Sequence, residues 1–268
     1  MAVNHSATQR QANTMNLEKF DVPRYLATLP LFSSVNADDL QRLAEMGCQL
    51  RRFERGRLLF RAGQECHEFH VTVLGQVKLF AVSPAGAEKV IELCGPGHSF
   101  AEAVMFMGAP YAVSAQALTE TLLLTIDKSP IISLIYSNHE FALRMLAGLS
   151  RRMHMLIQDV KGYTLYSGVQ RVIGYLMGEH MCERSRARVP QMAASAAASG
   201  AQADEPVEVV LPVSKAAIAS RLSLTPEYFS RVLSELESAG LIEVQRRTIR
   251  ILDMERLAAY QPQRSHRS

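Results

Sequence analysis

The stretch from Leu211 to Gly240 constrains the fold most, because helix start and stop signals follow one another there at short range. Ser214 can cap a first helix. Thr225-Pro226 can open a second, since a hydroxyl accepts an orphan N–H and a proline at the first helical position needs no donor. Gly240 stands where a left-handed residue closes a helix. The spacing therefore predicts two short helices joined by a tight turn.

The second of these helices has a polar face whose residue types match the edges of nucleic-acid bases. Glu227, Ser230 and Arg231 follow one another at helical spacing. Arginine can donate two bonds to guanine, glutamate can accept one from cytosine, and serine suits several edges. Near the N-terminus of a helix, the three could reach base edges together in a major groove. The same pattern also fits the solvated face of an ordinary helical hairpin.

The residues after Gly240 favour the DNA-reading alternative. Residues 241–244 and 248–252 are typical of the strands of a β-hairpin, and the turn between them is basic. Such a wing would set arginines against phosphates, which position a protein on DNA without reading its sequence. The candidate contacts to the DNA backbone are Ser214, Lys215, Thr225, Arg246, Arg247 and Arg250.

Composition limits the class of protein without deciding its function. The 268 residues are 48% hydrophobic and 21% charged, which is typical of a globular chain, and the net charge of +3 is too small to indicate nucleic acid by itself. No apolar run approaches the roughly 20 residues of a membrane helix, so we expect no membrane partner. Four scattered cysteines and the absence of an apolar signal segment favour free thiols in the cytoplasm.

Residues 49–126 show many short β-like runs with glycine at the corners, which predicts an antiparallel jelly-roll barrel. A long helix then begins near Asn138. Its apolar residues recur in alternating steps of four and three, which predicts a two-helix seam and a homodimer. A single helix packed on its own barrel would also explain that spacing. The candidate dimerisation residues are Leu146, Leu149, Met153, Leu156, Val160 and Tyr163.

The predicted fold class is α+β, with an N-terminal antiparallel jelly-roll barrel, a long dimerisation helix and a C-terminal winged helix-turn-helix. The predicted boundaries are 1–28 for a flexible arm, 29–137 for an effector-sensing barrel, 138–164 for the dimerisation helix, 165–262 for the DNA-binding domain and 263–268 for a tail. Within the DNA-binding domain, the low-complexity composition of 183–206 predicts a disordered surface insertion.

This order of elements, with the motifs GQVKLF at 75–80, PGHSFAE at 96–102 and LTPEYFSR at 224–231, resembles the Crp/Fnr family of bacterial transcription regulators. The resemblance covers roughly residues 29–260. It implies a homodimer that binds a two-fold operator on double-stranded DNA, contacts RNA polymerase and responds to a signal received in the barrel.

The polar face of 227–231 is similar to the Fnr-type reader of that family, because the Crp-type reader has another arginine where Pro226 stands. The resemblance implies a TTGAT…ATCAA palindrome. Arg231 would then contact the guanine and Glu227 the cytosine of the G·C pair, while Ser230 contacts a neighbouring thymine.

The resemblance does not identify the effector, but the residues present argue against two candidates. Glu102 matches the glutamate of cyclic-AMP-binding relatives, but Ala101 replaces their glycine, and no positive charge falls near Tyr111-Ala112, where relatives have an Arg-Ser pair. A buried phosphate without a cationic partner is expensive, so we do not expect cyclic AMP. We expect no iron–sulfur cluster either, because the N-terminal arm has no cysteine.

Residues 100–117 are most similar to the Dnr-type branch, which is linked to nitric oxide sensing and whose members are thought to use haem. The branch makes haem a candidate cofactor, with His70 and His154 as candidate axial ligands. The candidate effector pocket comprises Phe100, Glu102, Met105 and Tyr111.

Two other classes of protein compete with this interpretation. A cupin-like metalloenzyme would need several histidines and a carboxylate converging in the barrel, but His67 and His70 point to opposite faces of a strand. We find no catalytic constellation and expect no enzyme. A constitutive DNA-binding protein with a ligand-free barrel would instead show steep salt dependence and little sequence preference.

Overall fold

The structure, a computed structural model, describes residues 20–188 and 207–261. The helices are α1 (Val22–Thr28), α2 (Ala37–Gly47), α3 (Glu102–Met107), α4 (Lys128–Ser137), α5 (His139–Leu165), α6 (Gly168–Arg188), α7 (Lys215–Arg221), α8 (Pro226–Ser238) and α9 (Met254–Ala259). The strands are β1 (Cys48–Phe53), β2 (Leu58–Phe60), β3 (Glu68–Leu74), β4 (Val77–Val82), β5 (Glu88–Cys94), β6 (Ser99–Phe100), β7 (Ser114–Ala117), β8 (Thr121–Asp127), β9 (Val207–Val210), β10 (Ile242–Gln245) and β11 (Thr248–Ile251).

The barrel domain consists of two four-stranded antiparallel sheets, in the orders β1-β8-β3-β6 and β2-β7-β4-β5. The α+β class with an antiparallel barrel is therefore confirmed. β8 is buried along almost its whole length, which suits a run of leucine, threonine and isoleucine in a central strand. Gly75, with φ of +89°, turns the chain between β3 and β4. A Cβ there would lie 2.3 Å from the carbonyl oxygen of Glu120, so only glycine fits.

Helix α1 corrects the predicted boundary of the flexible arm. Residues 22–28 were expected in that arm, but they form a helix whose start is capped by the Asp21 carboxylate, which accepts a bond from the Arg24 N–H at 2.9 Å. Leu26 is fully buried and belongs to the barrel core together with Phe32 and Leu43. Residues 22–28 thus belong with the barrel domain, because this short helix is held by tertiary packing rather than by its own periodicity.

Helix α5 runs from the barrel to the C-terminal domain. The Asn138 side chain caps it by accepting the Phe141 N–H at 2.9 Å. Phe141 and Met145 are buried against the barrel, and Phe141 packs on Phe32 with ring centroids 5.5 Å apart. The first two turns of α5 are therefore anchored to the barrel, whereas its later turns extend beyond that core.

The C-terminal domain packs α6 to α9 on a three-stranded sheet in the order β10-β11-β9. Helix α6 continues to Arg188, so residues 183–188 are helical rather than part of the expected insertion loop. The rest of that insertion, 189–206, and the tail at 263–268 lie outside the described residues. Cys48, Cys66 and Cys94 are free thiols. Within the ranges described, no helix is both long and apolar enough to cross a membrane.

Candidate nucleic-acid interface and effector cavities

The helix-turn-helix is built by the predicted caps. The Ser214 hydroxyl accepts the Ala217 N–H at 3.3 Å and opens α7, and the Thr225 hydroxyl accepts the Tyr228 N–H at 3.2 Å and opens α8. Gly240 follows α8 with φ of +65°, the left-handed conformation that ends a helix. The caps fix where α8 starts and hence which of its residues face outward.

Helix α8 separates an apolar face from a polar one, as its periodicity predicts. Phe229 and Leu236 are fully buried, whereas Glu227, Ser230 and Arg231 are exposed. The Arg231 guanidinium carbon lies 4.8 Å from the ring centroid of Tyr228, in a cation–π contact. Sequence reasoning missed Tyr228, although its i, i+3 spacing to Arg231 was a usable signal.

A concave surface of about 650 Å³ forms beside the start of α8. It brings Thr225, Glu227 and Arg231 together with Arg171 of α6, which sequence reasoning also missed. Arg171 Nη1 donates to the carbonyl oxygen of Leu222 at 2.7 Å and so holds the turn between α7 and α8. A Cβ on Gly168 would lie 2.4 Å from Cε1 of Tyr228, so glycine allows α6 to approach the recognition helix.

The predicted wing is present, but its three arginines are in different environments. β10 and β11 pair in register from Ile242↔Ile251 to Gln245↔Thr248, which leaves Arg246 and Arg247 as the turn. Arg247 Nη2 donates to the carbonyl oxygen of Leu211 at 3.0 Å, and Arg250 Nη1 lies 3.4 Å from a Glu243 carboxylate oxygen. Arg246 is exposed at the tip, with φ of +54°. Of the three, Arg246 is thus the best placed to meet a phosphate.

The middle of α5 has an exposed apolar stripe. Leu146, Met153, Leu156 and Val160 are 49–61% exposed in the single chain. Leu149 is half-buried. Tyr163 departs from the predicted seam, because its hydroxyl donates to the carbonyl oxygen of Arg221 at 2.7 Å. Tyr163 therefore contacts α7 of its own chain, in addition to its place at the end of the stripe.

The barrel and the helix-turn-helix meet where β5 contacts α7. Lys89 Nζ donates to the carbonyl oxygen of Arg221 at 3.0 Å and to the Ser223 hydroxyl at 2.7 Å, at the negative end of α7. Arg221 in turn forms an ion pair of 2.6 Å with Asp159 of α5. Burial, together with the nearby positive charge of Arg221, lowers the pKa of Lys89 to about 8. Helix α7, the first helix of the helix-turn-helix, is thus held by both the barrel and α5.

The predicted effector pocket is a cavity of about 120 Å³ beside α3. Phe100, Glu102 and Tyr111 line it, whereas Met105 does not: it is fully buried in the barrel core, which corrects its assignment. The Glu102 backbone follows Ala101, whose φ of +72° is the left-handed conformation that glycine adopts at no cost.

Arg152 of α5 lines this cavity, so a positive charge from another element reaches it although none falls at Tyr111-Ala112 in the sequence. Its guanidinium binds the Glu102 carboxylate and donates to Glu92 at 3.1 Å. One cation and two carboxylates leave a net charge of −1. These attractions outweigh the desolvation of the guanidinium and raise the pKa of Arg152 above its usual range. Sequence reasoning missed this network, because its members are 50 and 60 residues apart.

The two candidate haem ligands are in opposite environments. His70 is 4% exposed inside the barrel, where its ring lies 5.5 Å from Phe60 and 5.0 Å from Phe100. His154 is exposed on α5, with Nε2 3.2 Å from the Gln158 amide nitrogen. Burial lowers the pKa of His70 to about 3, so that its ring is neutral.

A sensory barrel joined by a long helix to a winged helix-turn-helix defines a class of protein, the signal-controlled DNA-binding regulators. Residues 50–138 match the family model of the cyclic nucleotide-binding domain, and residues 170–260 match that of the Crp-like helix-turn-helix domain. The chain belongs to the Crp/Fnr family of transcription regulators.

The chain is also similar to individual named proteins. The transcriptional activator protein Anr of Pseudomonas aeruginosa is 27% identical over 237 residues, which cover 87% of this chain and 89% of Anr. Dnr of the same species is 31% identical, covering 89% of this chain and 96% of Dnr, with a TM-score of 0.45. FixK2 of Bradyrhizobium japonicum has the same fold, with a TM-score of 0.65 at 18% identity over 79% of this chain and 96% of FixK2.

Proposed function

We propose that this regulator acts as a homodimer and reads an Fnr-like TTGAT…ATCAA palindrome with Glu227, Ser230 and Arg231. The observation that supports the proposal most is the exposed polar face of α8, on which the Arg231 guanidinium is held 4.8 Å above the Tyr228 ring. A guanidinium restrained in this way loses less rotamer freedom when it binds the O6 and N7 atoms of guanine. Contact with RNA polymerase is typical of the family, and we propose it for this chain.

Operator competition tests the base-reading role. Fluorescence anisotropy would compare the palindrome with a variant in which the G·C pair of each half-site is replaced. Arg231→Ala should cost about 1–3 kcal/mol per half-site and remove the preference for that pair. Arg246→Ala, at the wing tip, is the matched control. It should weaken binding to both DNAs equally, and it should lower the slope of log affinity against log salt concentration by about the value of one phosphate contact. An equal loss on both DNAs for Arg231→Ala would refute the proposal.

The exposed stripe of α5 supports the homodimer. Four apolar side chains that are about half exposed or more, at heptad spacing, form a face that water disfavours and a second copy of the helix would cover. Leu156→Glu should therefore shift the protein to monomers in sedimentation equilibrium and abolish tight operator binding. Lys161→Glu, an exposed change on the same helix, should leave the dimer intact. A dimer that survives Leu156→Glu would contradict this seam.

We propose that the barrel senses a signal other than a cyclic nucleotide. A cyclic phosphate needs a cationic partner, but the guanidinium of Arg152 is already shared by Glu102 and Glu92. Titration with cyclic AMP should leave operator affinity unchanged. A gain in affinity would show that the phosphate can displace the two carboxylates and would favour the alternative of a cyclic-nucleotide-responsive regulator.

The haem and nitric oxide hypothesis finds less support in the residues present. The His70 ring packs on Phe60 and Phe100 at 5.5 and 5.0 Å between ring centroids; its Nδ1 is buried and its Nε2 lies 3.3 Å from the Tyr111 hydroxyl, so neither ring nitrogen is open to a haem iron. His154 is exposed, without the apolar walls that a haem pocket needs. Neither histidine fits haem in this arrangement. A Soret band after haem titration that is lost in His70→Ala or His154→Ala would restore the hypothesis. A ligand-independent regulator is the remaining alternative, for which no small molecule would alter operator affinity.

A further inference from the structure

The turn that joins α7 to the recognition helix contains a residue in a conformation that side chains disfavour. Ser223 has φ of +56°, in the left-handed region, where the Cβ of a residue other than glycine is crowded. Backbone bonds close the turn: the Ser223 N–H donates to the carbonyl oxygen of Ser220 at 3.1 Å, and the Leu224 N–H donates to that of Ala219 at 2.9 Å. This turn sets the direction of α8 relative to α7, so the groups that hold Ser223 also hold the base-reading face.

Cations from the barrel and from α6 hold this turn. Lys89 Nζ of β5 donates to the Ser223 hydroxyl at 2.7 Å and to the carbonyl oxygen of Ser220 at 2.5 Å. From α6, Arg171 Nη1 donates to the carbonyl oxygens of Leu222 at 2.7 Å and Ser223 at 3.4 Å. Carbonyls at the end of a helix form its negative pole, which cations stabilise. A residue with backbone strain persists only where its surroundings over-determine it, and these bonds supply that restraint.

Lys89 brings the barrel into this arrangement, because it belongs to β5. Its neighbour Val90 is 1% exposed and donates its N–H to the Ser220 hydroxyl at 2.9 Å, so the strand itself docks on α7. The Lys89 ammonium also lies 4.8 Å from the ring centroid of Tyr163 on α5. The ammonium is thus held among β5, α5 and α7, and its bonds go to the turn rather than to the exposed face of α8.

The same strand forms part of the Glu102 cavity. Glu92, three residues after Lys89 on β5, lines that cavity and lies 3.1 Å from Arg152 Nη2. Three residues of an extended strand span about 10 Å, so β5 connects the cavity to the turn over a short distance. A shift of β5 at the cavity would therefore change the distance between the Lys89 ammonium and Ser223.

We propose that Lys89 is a positioning residue for DNA reading. Through its ammonium, the barrel holds Ser223 in the left-handed conformation and so directs α8 toward the major groove. Withdrawal of β5 from α7 releases the turn and lowers operator affinity. The inference deepens the proposed function and rests on it for the operator, so its first test uses no DNA.

Hydrogen exchange of the full-length protein, followed by mass spectrometry, tests the turn in the absence of DNA. Lys89→Met keeps an unbranched side chain but removes the charge and its donors, so a peptide that spans residues 222–225 should exchange about tenfold faster, while β8 keeps its protection. Lys89→Arg, which keeps the charge, and Lys161→Met, the same change at an exposed position on α5, should exchange like the unmodified protein. Faster exchange in β8 as well would mean that Lys89 supports the whole barrel, and it would overturn the inference.

A second substitution separates restraint of Ser223 from general docking of the two domains. Ser223→Gly removes the crowded Cβ, so the left-handed conformation no longer needs support. In that background, Lys89→Met should change the exchange of the turn by less than about twofold. Equal exchange of Lys89→Met and the unmodified protein would overturn the inference. An acceleration that is as large in the Ser223→Gly background would also overturn it.

Operator binding supplies the functional test. In fluorescence anisotropy, Lys89→Met should weaken binding to the matched palindrome about tenfold and binding to the mismatched DNA less, with an unchanged dependence on salt. In the Ser223→Gly background, Lys89→Met should alter neither affinity by more than about twofold. An equal loss on both DNAs with a weaker salt dependence would assign Lys89 to a phosphate contact and overturn the inference. If the unmodified protein showed no preference for the palindrome, the proposed operator would fail, whereas hydrogen exchange would still decide the role of Lys89.

Discussion

The recognition helix and the interior of the barrel differ in how their functional residues are brought together. Glu227, Ser230 and Arg231 lie within five consecutive residues of α8, so the geometry of one helix places them. In the barrel, Glu102 meets Arg152 from 50 residues further along the chain, and His70 meets Tyr111 across 41 residues. A site on one helix can be predicted from local spacing. A site formed by residues from separate elements depends on register and packing, which the spacing of residues does not encode.

For the barrel, the largest expected effect is the loss of stability when Arg152, the cation of the Glu102 cavity, is removed. Arg152→Ala leaves the carboxylates of Glu102 and Glu92 without their partner in a site where these side chains are only 9% and 25% exposed. Breaking a buried ion pair at one end costs about 3–5 kcal/mol, and partial exposure of Arg152 places this case near 3 kcal/mol. Urea unfolding followed by circular dichroism measures the loss.

Arg151→Ala is the matched control, because Arg151 is the exposed neighbour on the same helix and should cost less than about 0.5 kcal/mol. Equal stability of the two variants would mean that the network does not hold α5 to the barrel. The comparison would then fail, since the network between α3, α5 and β5 would contribute no more stability than a surface residue.

The buried ring of His70 should make the barrel sensitive to acid. Its pKa of about 3, lowered by burial and by the nearby charge of Arg51, is below the ordinary value of about 6.5. The neutral ring therefore stabilises the folded state fully above pH 6.5, and this contribution is lost as the pH falls from 6.5 towards 3. At pH 4.5 the loss amounts to about 2–3 kcal/mol.

Unfolding free energies at pH 7.5 and pH 4.5 test this effect. His70→Phe should lose about 2–3 kcal/mol less between the two pH values than the unmodified protein, whatever its offset at neutral pH. His139→Phe should lose as much as the unmodified protein. If all three proteins lost stability in parallel, the acid sensitivity would belong to the carboxylates and not to His70.

Elements with strong local signals were predicted, and those held by distant contacts were not. The caps of α7 and α8 depend on Ser214 and Thr225, whose hydroxyls bond three residues ahead, and both are confirmed. Helix α1 was missed because its seven residues give too little periodicity, and the burial of Leu26 that holds it depends on the barrel core. Packing, rather than local propensity, decided that element.

The same distinction divides the candidate effector residues. Phe100 and Glu102 were placed in the pocket through the family resemblance of residues 96–117, and both line the cavity. Met105, three residues later on that helix, turns into the core instead. The aromatic stack of Phe60 and Tyr111 was not predicted, because no sequence pattern connects two residues that only the register of β2 and the position of the loop before β7 bring together.

The smallest expected effect is that of replacing Tyr228. It tests whether the recognition helix also depends on a packing contact that its pattern of polar residues does not show. Tyr228→Leu removes the ring that lies 4.8 Å from the Arg231 guanidinium while keeping an apolar side chain of similar helical preference. It should weaken binding to the matched operator by about 0.5–1 kcal/mol per half-site, the value of an exposed cation–π contact, and weaken binding to the mismatched operator less. Tyr228→Phe keeps the ring and should bind both DNAs like the unmodified protein. If the leucine and phenylalanine variants bound the operators equally and melted at the same temperature, Arg231 would need no support from Tyr228. The polar residues of α8 alone would then account for base recognition.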